Sequence, residues 1–298
     1  MELQQLCEGI GLPEDAYQKM MKEKEALNLS EMEKQMGRLT EAKTAAEAYR
    51  QLENCLGRDE EHMKMLACQL VCVCRDYDRY KEKGISDEIY FDTMKCFTRF
   101  LGECRKRTGM VVFDRGWWTY RQVSMTLFRI GELEYEMCRF RGKKAISIHI
   151  PSDADFTPEK VQESLKKAGE FLEKIYPDFA DAEYFCESWL LSPRLGALMK
   201  DSSNIRKFQI LFQIEEDMPQ DKEYMEWVFG KMPDTPWQEL PEQTSLQRKV
   251  KEMLKNGENL GAGAGVLRED YRMNSGNRQD SIISAIPICS EWLPLPLF

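Results

Sequence analysis

The chain has 298 residues, of which 42% are hydrophobic, and its formal net charge at pH 7 is −9. A chain of this length can bury a sizeable core, and two domains are the default expectation for it. The acidic balance argues against nucleic acids and anionic membranes as partners, because the average field of the protein would repel their phosphates.

The first third of the chain is predicted to be helical, because polar and apolar residues alternate at helical spacing without proline over residues 14–107. One helix is predicted over residues 59–83, with Gly84 ending it. A second is predicted to begin at Ser86, a good N-cap residue that precedes two acidic residues. Residues 1–110 are therefore predicted to form a helical N-terminal domain.

Around Val111 the pattern changes to short apolar bursts separated by Gly, Pro and Asp. Three successive strands are predicted from the segments MTLFRI, ELEYEMCRF and KAISIHI. The second and third are predicted to be joined by a hairpin turn in which Gly142 takes a positive φ.

The later elements are predicted from the same patterns. In chain order they are a helix over residues 157–176, a strand over 182–191, a short helix over 195–200, a strand over 208–214, a strand or short helix over 225–230 and a helix over 245–255. The following segment, LGAGAGV, is interpreted as a flexible exit from the last helix. Residues 111–267 are thus predicted to form a mixed α/β domain, which makes the chain α+β, with an irregular tail over residues 268–298.

The sequence also bears on location and metal binding. No window approaches the roughly 20 apolar residues that span a bilayer, and the opening segment MELQQLCEGIGLPED lacks the features of a signal peptide. We therefore expect a cytoplasmic protein with reduced cysteines. Paired Cys-x-x-Cys knuckles are missing and His62 and His149 are the only histidines, so no metal site is predicted.

Several segments together resemble a bacterial acyltransferase family. They are GWWTYRQVSMTLFRIGELEYE, ISIHIPSDA, CESWLLSP, SSNIRKF and LPEQTSLQR, and the resemblance extends to about Val266. Members of that family join a helical N-acyltransferase N-terminal domain to a GNAT-like C-terminal domain. The resemblance implies a mixed sheet that splays between two central strands and holds an acyl-CoA cosubstrate in the gap.

The resemblance also implies where the cosubstrate binds. The segment KAISIHIP corresponds to the strand before the cofactor helix, and AEYFCESWLL to its splayed partner. The implied cofactor-binding residues are Ile148, Ile150, Ser152, Asp153 and Ala154. GNAT enzymes commonly carry a glycine-rich turn here whose backbone N–H groups meet the pyrophosphate. This chain instead has PSDADFTP, which contains two aspartates and no glycine.

Three residues are candidates for catalysis, each with a structural alternative. His149 shares a strand face with Ala145 and Ser147 and could act as a base at neutral pH, or it could be a hydrogen-bonded structural residue. Glu134 could be a catalytic carboxylate, or the polar side of a half-exposed strand. Cys186 could form a covalent acyl intermediate, or be a buried structural thiol.

Three further residues are candidates for substrate binding. Arg121 and Gln122 follow a Trp-Trp pair and could reach a carboxylate or an acyl carbonyl, although such tryptophans often pack domains together. Asn204 lies after two serines and could contact a ligand or form a turn.

The sequence therefore favours an acyl-CoA-dependent N-acyltransferase acting on an amine-bearing small molecule or peptide. The alternative is a catalytically silent GNAT-like module that binds a small ligand or has a regulatory role, which the missing glycine-rich turn favours. A helical interaction scaffold without a ligand is a weaker third reading. The sequence leaves the oligomeric state open.

Overall fold

The structure is a computed structural model that describes residues 1–271, and it confirms the predicted α+β class. The N-terminal part is entirely helical. Its helices are α1 (Leu3–Gly9), α2 (Glu14–Ala26), α3 (Leu29–Leu39), α4 (Ala45–Leu56), α5 (Met63–Arg75), α6 (Tyr77–Glu82), α7 (Asp87–Thr108) and α8 (Gly116–Val123). Within the described residues, no helix is both long enough and apolar enough to cross a membrane.

Two of these helices test the sequence directly. The predicted start of α7 is confirmed, because the Ser86 hydroxyl accepts a hydrogen bond from the backbone N–H of Ile89 at 3.3 Å. The single helix predicted over residues 59–83 is wrong. Its first residues form a cap, in which the Asp59 carboxylate accepts the backbone N–H of Met65 at 3.0 Å, and the remainder divides into α5 and α6 at Asp76.

The C-terminal part is built on a six-stranded sheet with the order β1-β2-β3-β4-β6-β5. Its strands are β1 (Leu127–Ile130), β2 (Leu133–Phe140), β3 (Lys143–His149), β4 (Glu183–Ser188), β5 (Phe212–Met218) and β6 (Ala262–Leu267). The predicted β2–β3 hairpin is confirmed, and its two turn residues, Arg141 and Gly142, have φ values of 51° and 75°. The β3–β4 pair is parallel, and the other neighbouring pairs are antiparallel.

The two central strands diverge at one end. The β3–β4 ladder runs from Ala145↔Glu183 to Ser147↔Phe185 and stops there. Beyond that pair, β3 continues to His149 beside β2, while β4 continues beside β6. A gap therefore opens between β3 and β4 after residue 147, in the position where the family resemblance implies a splay.

The segment LGAGAGV was expected to be a flexible exit from the last helix, and this expectation is wrong. It forms β6, which lies between β4 and β5. A Cβ atom on Gly263 would lie 2.5 Å from the carbonyl oxygen of Leu191, and one on Gly265 would lie 2.8 Å from that of Gln213. The glycines are therefore required because neighbouring backbones approach this strand too closely for a side chain.

The remaining helices are α9 (Pro158–Ile175), α10 (Pro193–Leu198), α11 (Asn204–Ile210), α12 (Tyr224–Phe229) and α13 (Ser245–Lys255). The strand predicted over residues 208–214 is wrong in its first half, which belongs to α11. Phe208 packs against Phe156 and Phe212 there, with ring centroids 5.1 and 5.0 Å apart, and this tertiary contact outweighs the local β preference. The segment MEWVFG, for which both a strand and a helix were considered, lies in α12 and its C-terminal cap.

The two faces of the sheet are covered differently. On one face, Tyr135 packs under α9, and its hydroxyl lies 2.9 Å from the Ser164 hydroxyl. The opposite face carries Glu134, Glu136 and His149 and meets α7 and α8; we call it the α7 face. One apolar core continues from the N-terminal helices into the sheet, and a smaller core joins α10, α12 and α13.

The predicted domain division is not decided by this packing. The boundary near residue 110 lies in the loop between α7 and α8 and stays a prediction. The predicted irregular tail covers residues 268–298, of which residues 272–298 lie outside the described residues.

Candidate active site

His149 lies at the point where β3 and β4 diverge, and it is paired with a carboxylate. Its Nε2 atom is 2.8 Å from Oε2 of Glu136, which is on β2. Burial raises the pKa of Glu136, but the hydrogen bond and charge of His149 and the nearby Arg121 outweigh it and leave the pKa below its ordinary value. An ionised carboxylate only accepts hydrogen bonds, so Nε2 of His149 is the donor and Nδ1 is left to accept a proton when the ring is neutral.

Two residues of α8 complete what we call the His149 cluster, which consists of His149, Glu136, Arg121 and Trp118. Arg121 donates from Nε to Glu136 at 3.1 Å, and its guanidinium carbon lies 4.3 Å from the centre of the Trp118 ring. The Trp118 ring meets His149 edge-on at 4.9 Å between centroids. These contacts fix the orientation of the imidazole from two sides. They place the predicted residues His149 and Arg121 in one site.

The first acidic side chain of the turn after β3 is bound by arginine. The Asp153 carboxylate accepts a hydrogen bond from Arg129 at 2.6 Å. Burial raises its pKa, but Arg129 and Arg99 outweigh this and hold the pKa below its ordinary value. The Ser152 hydroxyl donates to Glu103, and the Ala154 N–H donates to the Pro151 carbonyl at 3.0 Å. The negative charge of Asp153 is thus balanced within the protein.

The first turn of α9 has backbone donors to offer. The Thr157 side chain makes no capping hydrogen bond, and within residues 1–271 the backbone N–H groups of Glu159 and Lys160 have no hydrogen-bond partner. A pocket of about 270 Å³ lies beside this turn. Its lining residues are Phe156, Pro158, Val161, Gln162, Lys207, Phe208, Ile210, Leu211 and Tyr271. The predicted cofactor-binding residue Ile148 is fully buried, and Ile150 is partly buried between the two cores.

The other predicted site residues have structural contacts outside this cluster, including Glu134, which is paired with His149 in the β2–β3 hairpin. Glu134 is 3% exposed and forms an ion pair with Arg99 of α7 at 2.6 Å, a placement typical of a structural carboxylate. Cys186 is completely buried, and burial raises the pKa of its thiol well above the ordinary value, which disfavours a nucleophile. Gln122 is buried in α8, and Asn204 begins α11, which packs on α9, α10 and β5. The roles predicted for these four residues remain predictions, and their placement does not support them.

Glu136 is the residue of this site that the sequence analysis missed. A two-residue turn at Arg141-Gly142 fixes the hairpin register so that Glu134 pairs with His149 and Glu136 with Ser147. Counting outward from that turn would have placed both glutamates beside His149 on one face. For metals, no group of three or more His, Cys, Asp or Glu residues suited to an ion is found in the described part of the chain.

Two family models match consecutive parts of the chain. Residues 1–125 match the N-acyltransferase N-terminal domain, and residues 127–267 match the GNAT-like C-terminal domain. The chain belongs to the family that joins these two domains. The predicted family is thereby confirmed, and the diverging central strands agree with the splay that the resemblance implies. No curated protein sequence matches this chain significantly.

Solved acyltransferase structures share the fold of this family member at low identity. One, in complex with decanoyl-CoA and teicoplanin, is 19% identical with a TM-score of 0.64, over 90% of this chain and 99% of its own. Another, of an acyltransferase mutant in complex with octanoyl-CoA, is 18% identical with a TM-score of 0.65, over the same shares of the two chains. These neighbours bind acyl-CoA, which agrees with the cosubstrate class expected from the family.

Proposed function

We propose that the protein is an acyl-CoA-dependent N-acyltransferase that acylates a primary amine on a small molecule or peptide. The observation that carries the proposal is the position of the His149–Glu136 pair at the divergence of β3 and β4. A thioester lying in that gap would bring its carbonyl carbon beside the imidazole. The family membership and the acyl-CoA-bound neighbours of the same fold support the choice of cosubstrate.

The His149 cluster supplies the proton transfer that amide formation needs. An acceptor ammonium must lose one proton before its nitrogen attacks, and Nδ1 of His149 can take that proton while Glu136 stabilises the resulting imidazolium. The nitrogen then bonds to the acyl carbon and the carbon–sulfur bond breaks. The second proton leaves the nitrogen and ends on the departing thiolate, which gives an amide, free CoA and a protonated His149 that returns its proton to water.

The cosubstrate would be held without a glycine-rich turn. The free N–H groups of Glu159 and Lys160 at the start of α9 suit a pyrophosphate, and Lys207 adds a positive charge at the neighbouring pocket. Asp153 would not oppose phosphates strongly, because Arg129 neutralises it. The second aspartate of the turn, Asp155, accepts a hydrogen bond from the Thr157 N–H at 2.9 Å and keeps its negative charge at the start of α9, so the silent module keeps part of its support.

The test combines binding with turnover. Wild-type protein is incubated with acetyl-, octanoyl- and decanoyl-CoA and a panel of primary amines, while thiol release and melting temperature are measured. We expect an acyl-CoA to raise the melting temperature, because it binds the folded state. Thiol release should be amine-dependent. His149→Asn should lower kcat by about 10²–10⁴-fold, the range for general acid–base catalysis, and leave the acyl-CoA shift intact.

The chain provides a matched control in its other histidine, because His62→Asn makes the same change in the N-terminal helical part at a left-handed backbone position that Asn tolerates. Equal losses in both variants would contradict the assignment of His149. Absence of any thermal shift with acyl-CoA would instead favour the silent small-ligand module.

A further inference from the structure

Glu187 of β4 lies across the gap from His149. The last β3–β4 pair is Ser147↔Phe185, and side chains two residues further along each strand point to the same face as that pair. His149 and Glu187 are therefore on the α7 face, one on each side of the gap. The charge of His149 acts on the Glu187 carboxylate, which agrees with this placement.

The floor of the sheet beside Glu187 is made of small side chains. Glu187 pairs with Ala264 of β6, and Ala264 pairs in turn with Glu216 of β5. These three residues form a row across the α7 face, continuing the line from His149. Glu187 and Glu216 are exposed and Ala264 is partly exposed, so this row is open to a ligand that approaches the gap from solvent.

The Glu187 carboxylate is not neutralised by the protein. Within residues 1–271 it has no hydrogen bond or ion pair, and Arg121 and Arg129, which lie on this side of the sheet, are each bound to another carboxylate. Its side chain is exposed to solvent, and neighbouring protein atoms take the place of part of the surrounding water. This loss of water raises the pKa of Glu187. The charges of Asp221 and Glu216 raise that pKa further, and the charge of His149 partly offsets these effects.

We propose that Glu187 determines acceptor specificity by binding the protonated amine of the acceptor and holding it opposite Nδ1 of His149. The inference rests on the proposed N-acyltransferase function and adds the charge state in which the acceptor binds. A carboxylate at this position gives a charge-assisted hydrogen bond to an ammonium group and none to a neutral amine. The acceptor class is therefore a primary alkylamine that is cationic at neutral pH.

The test uses one cationic and one neutral amine. Tyramine is protonated at neutral pH and aniline is not, so their KM values are compared with the best acyl-CoA in wild type, Glu187→Gln and Glu187→Asp. We expect Glu187→Gln to raise KM for tyramine by about 10- to 100-fold, the range for losing a hydrogen bond to a charged group. KM for aniline and the acyl-CoA Kd should stay unchanged, and Glu187→Asp should restore part of the tyramine affinity.

Glu183→Gln is the matched control, because Glu183 is on the same strand and the same face but in the closed part of the β3–β4 pair. Glu183→Gln should leave the KM values for both tyramine and aniline unchanged. Equal losses for tyramine and aniline in Glu187→Gln, or an unchanged KM for tyramine, would overturn the inference.

Equilibrium binding separates this inference from the proposed function. Tyramine binding to CoA-saturated protein is measured in the same variants, and this arm needs no turnover. Binding that weakens only in Glu187→Gln supports the inference even where thiol release fails. No saturable tyramine binding by the wild-type complex would overturn it, while acyl-CoA binding and thiol release would still be judged separately.

Discussion

The buried ion pair between Arg99 of α7 and Glu134 of β2 connects the N-terminal helices to the sheet. Their side chains are only 8% and 3% exposed, and the joining atoms are 2.6 Å apart. Arg99→Met would leave the Glu134 carboxylate buried without its partner, which typically costs about 3–5 kcal/mol. With an unfolding entropy of about 2.1 cal/mol/K per residue over the 298 residues, we expect the melting temperature to fall by about 5–8 °C.

The assay is a double-mutant cycle in thermal and urea unfolding, with Arg58→Met as control. Arg58 pairs with Glu60, but both side chains are largely exposed, at 83% and 71%, so this change should have no measurable effect. The double variant Arg99→Met/Glu134→Leu should recover more than half of the loss, since it removes both charges together. If Arg99→Met destabilised the protein no more than Arg58→Met, the argument would be refuted. A folded double variant without acyltransfer would instead restore Glu134 as a catalytic candidate.

Three further outcomes are expected. Gly263→Ala should lower the free energy of unfolding in urea by more than about 1 kcal/mol, because a Cβ at this position lies 2.5 Å from a carbonyl oxygen. As the control, Gly102→Ala in α7 brings a Cβ into open space and should stabilise the helix by roughly 0.5–1 kcal/mol. Neighbouring protein atoms and the charges of Asp221 and Glu187 raise the pKa of Glu223 from 4.5 to about 7, although its side chain is exposed and a hydrogen bond from Trp227 opposes them. Because the folded state holds this proton more tightly, wild-type stability should fall slightly as pH rises through that interval, and Glu223→Gln should lessen the fall in a series of melts. Ser86→Ala should cost about 1 kcal/mol through loss of the α7 cap, and an unchanged urea midpoint would contradict that role.

How much the sequence predicts depends on whether the signal is local. The hairpin turn at Gly142 and the Ser86 cap involve residues adjacent in the chain, and both are confirmed. The strand β6 was missed because glycine lowers β-propensity, and its requirement comes from the backbones of Leu191 and Gln213, which are distant in sequence. Tertiary contacts of this kind are not visible in a local pattern.

The candidate site divides in the same way. His149 was found from strand alternation and its chemistry, and the register that brings Glu136 to it follows from the turn. The contacts of Trp118 and Arg121 depend on how α8 packs over the sheet, which the sequence does not determine locally. The pairing of Glu134 with Arg99 is likewise a long-range contact, so its burial could not be anticipated from the strand pattern.

The insertion of β6 between β4 and β5 has a consequence for synthesis on the ribosome. When β5 has been made, β4 is paired only with β3 and β5 has no sheet neighbour, because residues 262–267, which form β6 between them, are translated last among the described strands. Two strand edges then remain open while α12 and α13 are produced, and open edges are sites of intermolecular pairing. Nascent chains stalled before residue 262 should therefore aggregate or recruit chaperones, whereas chains released after β6 should not.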